Sequence, residues 1–179
     1  GYNAMSSNRG VVEKIASSGM LWDEMSTDIR SLFFESLKSA QTSITISAFS
    51  MGHENEDVIE FFKIIEDKLV GRKNILIIVN DDENLKQYSR TKLLLFLEQF
   101  PDYFTLRLFN PKRNGKNMDL HSKITIIDRK FALVGSANIS RQALEHNYEM
   151  MIKISGKSVS QMDDMMIHLS QAIEVGDNY

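Results

Sequence analysis

The run His121-Ser122-Lys123-Ile124-Thr125-Ile126-Ile127-Asp128-Arg129-Lys130-Phe131-Ala132-Leu133-Val134-Gly135-Ser136-Ala137-Asn138 holds two apolar stretches either side of a polar break at 128–130. That is the pattern of a β-hairpin. A strand projects alternate side chains to opposite faces, so His121 and Lys123 point the same way, roughly 6 to 7 Å apart along the backbone. An imidazole and an ammonium aimed at one spot suit a phosphate group. The lysine brings fixed charge and three donors, and the histidine a nucleophile or proton shuttle. Asp128 stands seven positions after His121 and so falls on the opposite face, where it reads as a structural residue pairing with the turn at Arg129 and Lys130. Beyond Gly135, Ser136 and Asn138 sit where strand gives way to an expected helical run over 139–146. Hydroxyl, amide and free backbone N–H donors at such a junction favour an anion. Asn147-Tyr148-Glu149 then opens a further apolar strand over 150–154.

Outward from the hairpin, strand and helix patterns alternate. Trp22, Met25, Ile29, Leu32, Phe33 and Leu37 recur at helical spacing and predict an amphipathic helix over 20–39. Ser43-Ile44-Thr45-Ile46-Ser47-Ala48-Phe49-Ser50 reads as a strand. Val58, Phe61, Phe62, Ile65 and Leu69 mark a second helix that ends near Gly71. Residues 75–79 form a continuous apolar run suited to a central parallel strand. A third helix fills 85–100 before Pro101, a strand follows over 104–109, and Val159, Met162, Met166, Leu169 and Ile173 predict a last helix packed on the core. The expected fold is α/β, a mixed sheet sandwiched between helices. Residues 1–10 read as a tag remnant and flexible N-terminus, and 11–179 as one domain.

Composition narrows the classes. The 179 residues are 42% hydrophobic and 25% charged, ordinary for a globular chain. The absence of cysteine excludes disulfides and thiolate metal sites. No apolar run approaches the ~20 residues of a membrane helix, nor does an apolar segment stand out for exposure, and no signal-peptide core is present, so a cytoplasmic address is expected. Net charge is −3 but unevenly spread: residues 72–116 carry 9 basic and 5 acidic side chains, against 6 and 11 in residues 1–71. The positive stretch ends in Asn110-Pro111-Lys112-Arg113-Asn114-Gly115-Lys116, a loop running into His121. Lys112, Arg113 and Lys116 could contact a polyanion there. His53 reads as a solvated loop residue near the strand ends. Asp81-Asp82-Glu83 reads as a set of dipole partners for the helix that follows, and not as a metal site.

The spacing H-x-K-x4-D followed by G-S-x-N, with Glu149 at a fixed distance beyond, resembles the phospholipase D superfamily signature, the HKD motif. The residues fall within one stretch of 29, from His121 to Glu149. The resemblance implies the same α/β fold and phosphodiester cleavage or transfer through a phosphohistidine. It makes His121 and Lys123 catalytic, gives Ser136, Asn138 and Lys123 the substrate phosphate, casts Asp128 and Gly135 as structural, and has Glu149 orient the imidazole. No cofactor and no metal are expected.

The chemistry needs two histidines, one to attack phosphorus and one to protonate the leaving oxygen, yet the chain has one motif. Single-motif members similar to it share a site across a two-fold axis, so a homodimer is expected. The expected activity is that of a metal-independent nuclease, on DNA more than RNA, alone or within a larger restriction, defence or helicase assembly. A phospholipase or phosphatidyl transferase, or a non-catalytic module binding backbone phosphate, would carry the same motif.

Overall fold

The computed structural model describes residues 10–22, 24–112 and 117–175. Eight strands form one sheet: β1 (Val11–Ser18), β2 (Thr27–Asp28), β3 (Ser43–Ala48), β4 (Asn74–Asn80), β5 (Phe104–Phe109), β6 (Ile124–Ile127), β7 (Phe131–Gly135) and β8 (Glu149–Ser155). Their order is β2-β1-β8-β7-β6-β3-β4-β5. Strands β3, β4 and β5 run parallel, joined by α2 (Glu56–Val70) and α3 (Gln87–Gln99), whereas β6, β7 and β8 are antiparallel. The mixed sheet expected from the alternation of patterns is therefore present.

Period-2 alternation feeds two cores. Ile44, Ile46, Ile75, Ile77, Val79, Ile127 and Leu133 face a layer formed by α1 (Ile29–Ser39), α2 and α3, rich in aromatic side chains such as Phe33, Phe61 and Phe96. Ile78, Ile126 and Ala132 face the opposite way, onto Val159 and Met166 of α4 (Lys157–Val175). Both sheet faces are covered, which is why β4 reads as an unbroken apolar run.

Three expectations need correction. The first helix does not span 20–39: it begins at Ile29, capped by the Asp28 carboxylate accepting from Ser31 N. Upstream, Trp22 and Met25 close two turns, on Gly19 O and Trp22 O, and the Trp22 ring packs edge-on against Tyr148 at 5.2 Å. Apolar spacing continued across this segment, but a cap interrupts it. The run over 139–146 contains no regular α-helix; it closes as a five-residue π-helical turn, Gln142–His146. Finally, Asp128 does not pair with its own turn. Its carboxylate accepts from the backbone N–H groups of Gln41, Thr42 and Ser43 and from the Thr42 hydroxyl, tying the hairpin tip to the α1–β3 junction.

The hairpin turn itself is tight. Asp128 and Arg129 both take left-handed backbone angles, φ 54° and 56°, and Lys130 N bonds Ile127 O, as a two-residue primed turn requires. Arg129 pairs with Asp163 and Asp164 of α4. One turn thus anchors the β6–β7 hairpin to elements on both sides of the sheet.

Candidate active site

His121 and Lys123 lie in the irregular segment just ahead of β6, a few residues short of where strand pairing starts. What fixes them is Asn80, fully buried at the end of β4. Its side-chain amide donates to Leu120 O and Phe49 O, and its carbonyl oxygen accepts from Leu120 N. This clamp sets the backbone immediately before His121 and the position of Phe49 together. The Phe49 ring packs on the imidazole at 4.7 Å, and Lys123 Nζ lies 5.2 Å above the same ring. Lys123 Nζ donates to His121 O at 3.0 Å and sits 3.4 Å from His121 Nδ1. The two motif side chains do converge. Neither Asn80 nor Phe49 was singled out in the sequence; the one available signal was an asparagine closing an otherwise apolar strand.

Glu149 opens β8 across the cleft. The Ser136 hydroxyl donates to its carboxylate, Asn147 Nδ2 donates to Glu149 Oε1, and Met150 N donates to Ser136 Oγ. Among the described residues no hydrogen bond joins Glu149 to the imidazole; Ser136 and Asn147 engage its carboxylate. Burial pushes the Lys123 amine below the ordinary lysine range, while the Glu149 charge pulls it back up. Lys123 and Glu149 therefore share one electrostatic environment, and the site keeps an ammonium partly desolvated, where its charge acts more strongly on a phosphate.

Asn138 completes the group. Its Oδ1 is buried with no hydrogen-bond partner among the described residues, and the residue lines, with Lys123, Ser47 and Thr125, a cavity of about 20 Å³, room for one water. Ser47 and Ser122 hydroxyls meet at 2.5 Å beneath it. Gly135 is required by close strand approach: a Cβ there would lie 2.2 Å from Met150 O and 2.8 Å from Met151 Cα. All five motif side chains, His121, Lys123, Ser136, Asn138 and Glu149, thus border one region at one end of the central strands β6, β7 and β8.

The remaining expectations divide. Lys112 is exposed, and Arg113 and Lys116 lie outside the described residues. His53 is exposed and lines a recess beside the site. The acids after β4 do not cap α3 directly: Asp81 pairs with Arg90 and Asp82 accepts from Asn84 N, while Lys86 at the cap position makes no side-chain cap bond. Among the described residues no cluster of three or more His, Asp or Glu side chains is arranged to hold a metal ion. One expectation fails outright. Met20, Leu21 and Met25 are 84%, 77% and 78% exposed, so an exposed apolar segment exists, beside Tyr148 and next to Glu149.

Comparison with known proteins places this geometry. Solved structures that share the fold include the following three. One is a phospholipase D family member, Nuc from Salmonella typhimurium (TM-score 0.65, 19% identity, 92% of this chain and 93% of that one). A second is NucT from Helicobacter pylori (TM-score 0.62, 20% identity, 89% and 94%). The third is phosphatidylserine synthase from Haemophilus influenzae Rd KW20 (TM-score 0.59, 15% identity, 81% of this chain but 35% of that one). No curated protein sequence matches the chain. The family described as "Cardiolipin synthase, PLD-like domain" matches residues 33–169, a span that takes in every motif residue and most of the sheet, and the chain accordingly belongs to the phospholipase D superfamily.

Proposed function

We propose that the protein is a metal-independent nuclease that cleaves phosphodiesters through a covalent phosphohistidine at His121. The observation that carries this reading is the convergence of His121, Lys123, Asn138 and the Ser136–Glu149 pair on one region, with Lys123 held by His121 and Phe49. An unprotonated ring nitrogen of His121 attacks phosphorus, and the P–O bond to the leaving group breaks. A second histidine, from another copy of the chain, protonates the departing oxygen. That same histidine then removes a proton from water, which displaces His121 from phosphorus and leaves a phosphate monoester. Lys123 and the amide of Asn138 offset the negative charge of the transition state without an added cation. Glu149 holds the Ser136 hydroxyl in place. The similarity to Nuc and NucT over nearly their whole length supports nucleic acid as substrate.

A phosphatidyl-transfer reading has one observation in its favour, the exposed Met20, Leu21 and Met25, which a lipid surface would cover. Among the described residues, however, no helix is long and apolar enough to cross a membrane. The deciding assay compares single- and double-stranded DNA, RNA and phosphatidylglycerol vesicles, each in excess EDTA. Wild-type protein should cut nucleic acid in EDTA, and His121→Ala should lose at least 10²–10³-fold in rate while its circular dichroism spectrum stays native. Normal turnover by His121→Ala, or an absolute need for a divalent ion, would remove this mechanism.

A further inference from the structure

We propose that the recess bounded by His53, Lys86 and Arg141 is a second phosphate subsite. It would seat the backbone phosphate of a nucleic-acid strand adjoining the one held at His121 and Lys123. The inference rests on the nuclease reading and adds that the preferred substrate carries more than one backbone phosphate.

The recess has a volume of about 350 Å³, within the range of small-ligand pockets. Its basic side chains come from three separate segments, the β3–α2 loop, the α3 cap and the stretch before the π-helical turn. Asn84 and Gln142 add amides, and no carboxylate lines it. It adjoins the motif on two sides. Ser50 in its wall directly follows Phe49, whose ring carries His121 and Lys123, and Ser140 stands two residues after Asn138. The recess wall and the motif residues are thus one or two residues apart along the chain at both places, so a strand leaving one site runs directly past the other.

The walls are built before any ligand arrives. Met51 bridges both Leu85 and Ile139, Gly52 N bonds Ile139 O, Lys86 N bonds Met51 O, and the Ser89 hydroxyl donates to Gly52 O. A side chain at Gly52 would press on Ser140 Cβ and Val58 Cγ2, each at 3.2 Å, so glycine lets the segments meet. Arg141 is aimed by its own chain of partners. Its Nε pairs with Glu145 at 3.0 Å, Glu145 lies 3.4 Å from Arg30, and Arg30 pairs with the buried Asp57 at 2.6 Å. That pairing uses one of five guanidinium donors, leaving four N–H groups for a ligand. Lys86 Nζ is steadied on Glu83 O at 2.8 Å. The His53 ring makes no hydrogen bond among the described residues. Cations, amides and rigid walls suit a phosphate far better than an acyl chain.

The test uses three probes: bis(4-nitrophenyl) phosphate, a dinucleotide with one phosphodiester, and a fluorescein-labelled hexanucleotide. Lys86→Ala and Arg141→Ala should weaken hexanucleotide binding, and each should flatten the slope of log affinity against log salt by about one. Their turnover of the aryl diester should match wild type, and Lys86→Arg should restore hexanucleotide binding. Unchanged hexanucleotide affinity and salt slope overturn the proposal, as does an equal loss on all three probes. So does competition by phosphatidylglycerol vesicles that beats competition by unlabelled hexanucleotide. If wild-type protein cleaves nothing, the nuclease reading fails by itself, and fluorescence anisotropy with the same variants still decides whether the recess holds a phosphate.

Discussion

Asp128 is the residue on which the hairpin turns. Burial alone would raise its carboxyl pKa, but backbone N–H groups of Ser43, Gln41 and Thr42 and the Thr42 hydroxyl outweigh that and hold it below the ordinary value. A depressed carboxylate contributes stability that is present above the unfolded pKa and lost as pH falls through the folded one. Asp128→Ala should therefore cost about 1–2 kcal/mol near pH 7, the worth of bonds to a partly exposed charge. The gap to wild type should begin to narrow below about pH 4 and go on narrowing as pH falls through the lower folded value. Urea titrations at neutral and acid pH measure both. An equal deficit at the two pH values would mean that the charge is not what ties the turn. At this scale the sequence was partly legible. His121, Lys123, Ser136, Asn138 and Glu149 are legible because fixed spacing around the ends of adjoining strands brings them together. Asn80 and Phe49 are not, because they act through a backbone 40 residues away and through ring packing, neither of which leaves a local pattern.

Elements were legible where one periodicity governed a whole segment. Helix α2 and strands β4 and β5 stand close to their expected bounds, since each buries an apolar face and ends at a clear break such as Gly71. Strand β1 leaves no legible pattern in the sequence, because its first five residues are exposed and mix charge with valine, so no alternation announces it. Helix α1 is shorter than its apolar spacing predicts, because apolar side chains on a turn mimic another helical turn. The β7–β8 pairing offers the sharpest test at this scale. Gly135 faces Met151 in register, and a Cβ there would collide with backbone and not with a side chain that can swing away. The strands must separate, so Gly135→Ala should destabilise by about 1–3 kcal/mol, lowering Tm by roughly 2–12 °C for a chain of this size. It should also disturb Ser136, whose N–H bonds Met150 O. A thermal melt indistinguishable from wild type would show that the sheet gives way at no cost.

The whole molecule carries one motif, and the mechanism asks for two histidines on opposite sides of phosphorus. Within the chain His146 pairs loosely with Glu145 at 3.6 Å and is followed by no lysine at the needed spacing, so it offers no substitute. Met20, Leu21, Met25, Tyr148 and Met150 are about half exposed or more, and Trp22 and Gly19 lie against the Tyr148 ring, next in sequence to Glu149. A run of exposed apolar surface calls for a covering partner, and a two-fold axis beside it would bring a second His121 to the same cleft. Sedimentation at micromolar concentration should report a dimer, and Leu21→Glu combined with Met25→Glu should split it and abolish cleavage while leaving the monomer folded. Mixing His121→Ala with wild-type subunits gives a sharper reading. If each site needs both imidazoles, heterodimers are nearly inactive, and activity falls as the square of the wild-type fraction. A linear fall with that fraction would mean that each chain works alone, and that the proton donor must be sought among its own residues.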